Sequence, residues 1–262
     1  MSFALDPSLR ERWRPDGARW RSTIPEGWLQ GRSVFGGVSA ALVVALGATL
    51  AEDRRLRTMS IHLVRPVLSG EVVGEVALIR AGRNVSFIEV RLLQGEAECA
   101  RATLVYVVPN PEALHIPAPH AFPSTPPETL PAMPRNSVLI PEFVQHVEMR
   151  WLSGHPPFSG AEDGDFTGFC RFLGPAGGPE GLVALLDVWP APPLSMLTRP
   201  APASTVNWTA HLLEVPESLD DWCYYTYKTV AGEGGYHTCA GLLYDAKGVF
   251  LAYSEQLVAL YG

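Results

Sequence analysis

Asp187 is the residue of this chain most suited to chemistry. It lies in Gly181-Leu182-Val183-Ala184-Leu185-Leu186-Asp187-Val188-Trp189, a stretch in which no other side chain ionises. The run reads as helical and Asp187 falls near its C-terminal end, where the helix dipole disfavours an anion; a structural Asp would be better placed at the other end. Burying a carboxylate raises its pKa toward the range of a general base, provided polar partners hold it. An Asp facing solvent at a helix end is the competing reading.

Partners for such a base come from two later segments. Thr205 opens Thr205-Val206-Asn207-Trp208-Thr209, and Gln256 lies in Val249-Phe250-Leu251-Ala252-Tyr253-Ser254-Glu255-Gln256-Leu257-Val258. With the period of two of a strand, Gln256 shares a face with Phe250, Ala252, Ser254, Val258 and Leu260, so its amide is carried on a mostly apolar surface. A buried amide needs hydrogen-bond partners. Taken alone, Thr205 also reads as a good strand former and Gln256 as a residue at a wet strand edge.

Other chemistries have less support. The seven histidines show no HxxH, HxxxH or HExxH spacing, and the four cysteines, Cys99, Cys170, Cys223 and Cys239, form no CxxC pair, so no metal site is expected. The cysteines read as small buried hydrophobes in a reducing compartment. No GxSxG is present, which argues against a serine nucleophile on an α/β-hydrolase scaffold. The net charge is -7, from 20 basic and 27 acidic residues, and the basic ones are scattered, so nucleic acid is not an expected ligand. The longest charge-free apolar run, 34–51, contains three glycines and falls short of a membrane span, and 1–21 lacks the apolar core of a secretory signal. A cytoplasmic protein with no cofactor and no membrane partner is expected.

At 262 residues, with 47% hydrophobic and 18% charged positions, the chain is globular and long enough for one large domain or two smaller ones. Ten prolines between Pro109 and Pro141 forbid a continuous helix or a central strand there. The expected organisation is therefore two units, 1–108 and 142–262, joined by a proline-rich linker over 109–141. The same plan occurs on both sides of it. In the first unit a strand over 18–24 leads to an apolar helical run over 34–50, followed by strands over 58–67, 71–80, 85–93 and 96–108. In the second, strands over 145–152 and 166–173 precede a helical run over 179–189, and strands over 205–213, 222–230, 236–244 and 249–260 follow. Each helix is too apolar for a surface and must be wrapped by its meander, and the two sheets can join edge to edge.

The sequence resembles the acyl-CoA thioesterase II family of double-hotdog proteins. Val34-Phe35-Gly36-Gly37-Val38 ahead of an apolar helix is similar to the family's helix-opening FGG. Ile61-His62-Leu63-Val64-Arg65-Pro66 resembles its strand ending in Arg-Pro, and Leu78-Ile79-Arg80-Ala81-Gly82-Arg83-Asn84-Val85-Ser86-Phe87 resembles the hairpin that follows. The resemblance implies an α+β tandem double hotdog, with two long apolar helices wrapped by a continuous antiparallel sheet. It also implies a catalytic set of an Asp on the second helix, a Thr at the start of the next strand and a Gln on the last strand, which fall on Asp187, Thr205 and Gln256.

The implied reaction is hydrolysis of acyl-CoA. A thioester needs a positioned water, a base and donors for the developing oxyanion, and no covalent nucleophile. Asp187 would take the proton, with Thr205 and Gln256 orienting the water or the Asp. Backbone N–H groups near Gly36 and Gly37, at the start of the first helix, are candidate oxyanion donors, a tight packed helix entry being the alternative. Arg80 and Arg83 are candidates for the CoA phosphates, with surface solubility as the alternative. Trp189, Trp208 and Met196 are candidates for an acyl pocket, or simply for the core. The first helix carries no Asp or Glu from Ser33 to Ala51, so one working site per chain is expected. Asn207-Trp208 where an Asp-His pair is usual, and Glu214-Val215 for a second Arg-Pro, depart from the family's pattern and bear on substrate choice. A non-catalytic acyl-thioester binder is the alternative function; a hydratase, which needs a paired Asp and His, ranks last. Fused hotdogs already form the equivalent of the usual dimer, which leaves both a monomer and a further homo-oligomer open.

Overall fold

A computed structural model describes residues 3–135 and 140–261. After a 3-10 turn at Pro7–Arg12, the first half contains β1 (Arg14–Asp16), β2 (Arg19–Ile24), a small ribbon of β3 (Leu29–Gln30) and β4 (Ser33–Val34), and helix α1 (Gly36–Gly47). The meander β5 (Arg55–Leu63), β6 (Gly70–Ala81), β7 (Val85–Gln94) and β8 (Ala97–Val107) follows. The second half contains β9 (Val147–Ser153), β10 (Phe166–Phe172), helix α2 (Gly178–Leu185), β11 (Ala203–Leu212), β12 (Cys223–Glu233), β13 (Tyr236–Tyr244) and β14 (Phe250–Leu260).

Twelve of these strands form one antiparallel sheet in the order β1-β2-β6-β7-β8-β5-β11-β14-β13-β12-β10-β9. Read from the middle outward, each half repeats the other strand for strand, so the join of β5 to β11 is a pseudo-twofold axis. The join removes the exposed edges of both half-sheets. The irregularities repeat as well. β5 has a bulge at Arg57 and β11 one at Val206, and the N–H groups of Val64 and Arg65 share the Cys99 carbonyl just as those of Leu213 and Glu214 share that of Leu251.

α1 is apolar on every side and buried from Gly37 to Gly47, as an all-round hydrophobic helix must be. α2 is shorter than expected. It ends at Leu185 after eight residues, and Leu186 and Asp187 form a turn instead of a last helical turn. Pro190, Pro192 and Pro193 force the preceding backbone out of the helical region, so the run to Trp189 cannot stay helical. The expectation of two long helices is thus met by neither: α1 has 12 residues and α2 has 8.

One further feature was not read from the sequence. Glu180, in the first turn of α2, is fully buried and ion-paired at 2.8 Å with Arg10 of the N-terminal 3-10 turn, where a carboxylate suits the helix dipole. The proline-rich segment lies as a strap on the outer face of the second half. Phe122 packs on Phe169 and Tyr224, the Ala121 N–H reaches the Gly248 carbonyl, and Glu128 accepts the indole N–H of Trp222 at 2.7 Å.

Candidate active site

The turn after α2 places Asp187 against the start of α1. A Cβ on Gly36 would sit 2.6 Å from Asp187 Oδ2, so only glycine lets the carboxylate approach this backbone. The Gly37 N–H is directed at the same carboxylate. First-turn N–H groups have no intrahelical acceptor, and at the positive end of α1 they favour the charged form. The side chain of Gln256 donates from Nε2 to Asp187 Oδ1 at 2.9 Å, while its Oε1 accepts from the Thr205 hydroxyl at 2.9 Å. A single chain of hydrogen bonds therefore runs from Thr205 through Gln256 to Asp187. Asp187 belongs to the second half and Gly37 to the first, so the site sits at the junction of the two.

Burial pushes the Asp187 carboxyl up to about 7, and the bonds from Gln256 and Gly37 only partly oppose it. Apolar neighbours surround the carboxylate, so its charge is poorly solvated, although the residue as a whole is only half-buried. Thr205 reaches Gln256 because of the bulge at Val206. Strict alternation from the inward-facing Trp208 would put Thr205 on the outer face with Asn207 and Thr209; the extra residue turns it inward. Its partner is the glutamine and not the Asp: the ionised carboxylate, an acceptor only, selects the N–H end of the Gln256 amide, and Thr205 holds the other end.

The pseudo-symmetric location holds none of these groups. The row Thr205, Val258, His237 corresponds to Leu56, Tyr106, Ser86, and the row Trp208, Gln256, Cys239 to Met59, Leu104, Ile88. Aligning Gly36-Gly37 with Gly177-Gly178 puts Leu46 where Asp187 stands. Leu46, Leu56 and Leu104 replace Asp, Thr and Gln, which agrees with the expectation drawn from the absence of acids in the first helix.

A profile of the acyl-CoA thioesterase C-terminal domain matches residues 119–260, and one of the N-terminal domain matches 24–107. The chain belongs to the acyl-CoA thioesterase family. Among solved structures, a hot dog protein of unknown function from Alicyclobacillus acidocaldarius superposes with a TM-score of 0.86 at 21% identity, over 100% of this chain and 99% of that one. A candidate thioesterase II from Thermobifida fusca gives 0.84 at 19%, over 100% of both chains. An acyl-CoA thioesterase II from Mycobacterium marinum gives 0.76 at 12%, over 97% of this chain and 98% of that one. At such identities the likeness carries the hotdog fold alone. No curated protein sequence matches the chain.

The other candidate residues of this thioesterase-family chain lie elsewhere. Arg80 and Arg83 are exposed around the hairpin joining β6 to β7, by the end of β5 where Arg55 pairs with Val107. Gly36 lies by the opposite end, near Leu63, about 25 Å away along β5. These arginines are not brought to Asp187. Trp208 is fully buried with its indole N–H bonded to Ser254, and Trp189 packs among Trp151 and Phe166, so both are core residues in this structure. Met196 is largely exposed. Asn207 bonds to His62 and His211 to Thr58 on the outer face, away from the site. Among the described residues no cluster of three or more His, Cys, Asp or Glu could hold a metal ion, the four cysteines are free and buried, and no helix is long and apolar enough to cross a membrane.

Proposed function

We propose that this chain hydrolyses acyl-CoA thioesters to the free acid and CoA, on a tandem double hotdog of units 1–108 and 142–262 joined by 109–141. The observation that carries the reading is Asp187: a carboxylate whose pKa burial raises to about 7, bonded to a glutamine amide that in turn accepts from a threonine hydroxyl. The oxygen of a bound water attacks the thioester carbon while Asp187 takes its proton. The tetrahedral intermediate then expels the CoA thiolate, and the proton on Asp187 passes to the sulfur. A base with a pKa near 7 suits both transfers, since it gains and returns a proton at similar cost.

Gln256 fixes the carboxylate oxygen not used for the water, and Thr205 fixes Gln256. The first-turn N–H groups of α1 at Gly36 and Gly37 offer positive potential for the developing oxyanion. Gly37 faces Asp187 in the unliganded site, so a substrate carbonyl would compete with the carboxylate for it. The four free cysteines support a reducing compartment such as the cytoplasm.

Purified protein should release free thiol from members of an acyl-CoA panel of graded chain length. Asp187→Asn should lower kcat by roughly 10²- to 10⁴-fold while remaining folded. Full activity in Asp187→Asn removes Asp187 from the reaction. Binding of acyl-CoA without thiol release by the natural protein makes it an acyl-thioester binder instead.

A further inference from the structure

A second buried polar cluster lies beside the hydrogen-bond chain that reaches Asp187. The indole N–H of Trp208 donates to Ser254 Oγ at 2.9 Å, and the Tyr225 hydroxyl donates to the Leu186 carbonyl at 3.1 Å. The Tyr225 hydroxyl stands over Gly241, which pairs with Ser254 in the sheet, so both bonds belong to one cluster. The Tyr225 proton points to Leu186, because a carbonyl can only accept. All three side chains are buried. Their positions shadow the first chain, with Trp208 on the strand of Thr205, Ser254 two residues before Gln256, and Leu186 next to Asp187.

We infer that Trp208, Ser254 and Tyr225 are positioning residues that clamp the turn carrying Asp187 so that its carboxylate meets Gln256 in register. The inference rests on Asp187 being the base. Three observations support it. The α2 helix stops at Leu185, so Asp187 stands on a turn held by only two helix-type backbone bonds, from the N–H of Leu186 to the Leu182 carbonyl and from that of Asp187 to the Ala184 carbonyl. The Leu186 carbonyl is one of the orphan acceptors that any helix end leaves, and Tyr225 satisfies it. Gly241, directly under the Tyr225 hydroxyl, leaves room that any side chain would fill.

A fourth observation concerns the equivalent positions of the first half, where the helix carbonyls are met by other groups, Leu42 by the Trp13 indole N–H and Val44 by the Tyr106 hydroxyl. In the first half the rows of the sheet give Met59 for Trp208, Ala102 for Ser254 and Gly74 for Tyr225. The same fold is thus built on the other side with none of the three hydrogen-bonding groups. They are present where the turn carries an acid and absent where it carries Leu46.

The test compares Tyr225→Phe and Ser254→Ala with the natural protein, using acyl-CoA hydrolysis well below the melting temperature and crystal structures of each. Each variant should lose roughly five- to tenfold in kcat, the value of one neutral hydrogen bond, with KM within about twofold. The double variant should be no worse than the more damaged single one, because both loosen one buried cluster. The Asp187–Gln256 bond should lengthen beyond hydrogen-bonding distance in the variant structures. Unchanged kcat with Asp187 still bonded to Gln256 overturns the inference, as does a lowered melting temperature with no loss of kcat. Should Tyr225→Phe fail to fold, Ser254→Ala decides alone. Asp187→Asn in the same assay keeps the two claims apart: full activity there refutes the base, while the variant structures still report whether the clamp sets the position of Asp187.

Discussion

Asp187 is kept near neutrality by the surroundings that make it useful, and this has a measurable cost to the fold. Its folded pKa is raised from 3.8 to about 7, so the folded state holds more protons than the unfolded chain between those values, and stability falls as pH rises through that window. Asp187→Asn removes the titrating group while leaving an acceptor for Gln256. Its melting temperature should exceed that of the natural protein at pH 8, with the gap narrowing towards pH 4; a gap that does not vary with pH would contradict the raised pKa. Asp187 is legible in the sequence as the lone ionisable group of an apolar run, whereas Gln256, which shares its face with Ser254, is singled out by the family resemblance. Thr205 is legible as a candidate, but not its route to the site. The bulge at Val206 reverses its face, and a bulge leaves no mark in a period-two pattern. Tyr225 and Ser254 are hidden for a similar reason, since an aromatic strand residue and a small serine look like ordinary sheet composition.

At the scale of elements, the site depends on how closely the end of α2 approaches the start of α1. Gly36 permits the contact with the carboxylate, and Gly37 permits the contact between helices, where a Cβ would lie 2.8 Å from the Ala184 carbonyl. Gly36→Ala should push Asp187 off Gln256 and lower kcat by at least roughly tenfold, with a loss of stability of only about 1 kcal/mol, because the conflict is with a side chain at a turn and not with backbone. Kinetics and denaturant titration of the same preparation check both numbers, and an unaltered kcat would mean that the carboxylate does not need its place against α1. The positions of α1 and α2 are legible from their apolar runs. The end of α2 is not, since Leu186, Val188 and Trp189 continue the apolar run around Asp187 and only the prolines beyond them signal a break. The pairing of Glu180 with Arg10 is also invisible, because 170 positions separate them and neither belongs to a motif.

Across the whole molecule, the duplication visible in the sequence becomes one sheet in which β5 and β11 sit at the centre. α1 and α2 pack against each other between the halves, and Arg57 donates across the join to the Leu212 carbonyl at 2.6 Å. The two halves should therefore unfold together. Calorimetry should give a single transition whose van't Hoff and calorimetric enthalpies agree, and two resolved transitions would show that the join is dispensable. Leucines fill the equivalent location as ordinary core, so the proposed site occurs once, with Asp187, Thr205 and Gln256 in the second half set against α1 of the first.

The reaction assigned to that site is direct attack by water, and a single turnover in H₂¹⁸O tests it. With enzyme in excess over acyl-CoA, the heavy oxygen should appear in the released acid while the peptide containing Asp187 stays unlabelled. Heavy oxygen in the Asp187 carboxylate, with unlabelled acid released, would mean that the Asp attacks the thioester itself through an anhydride, and would contradict its role as the base.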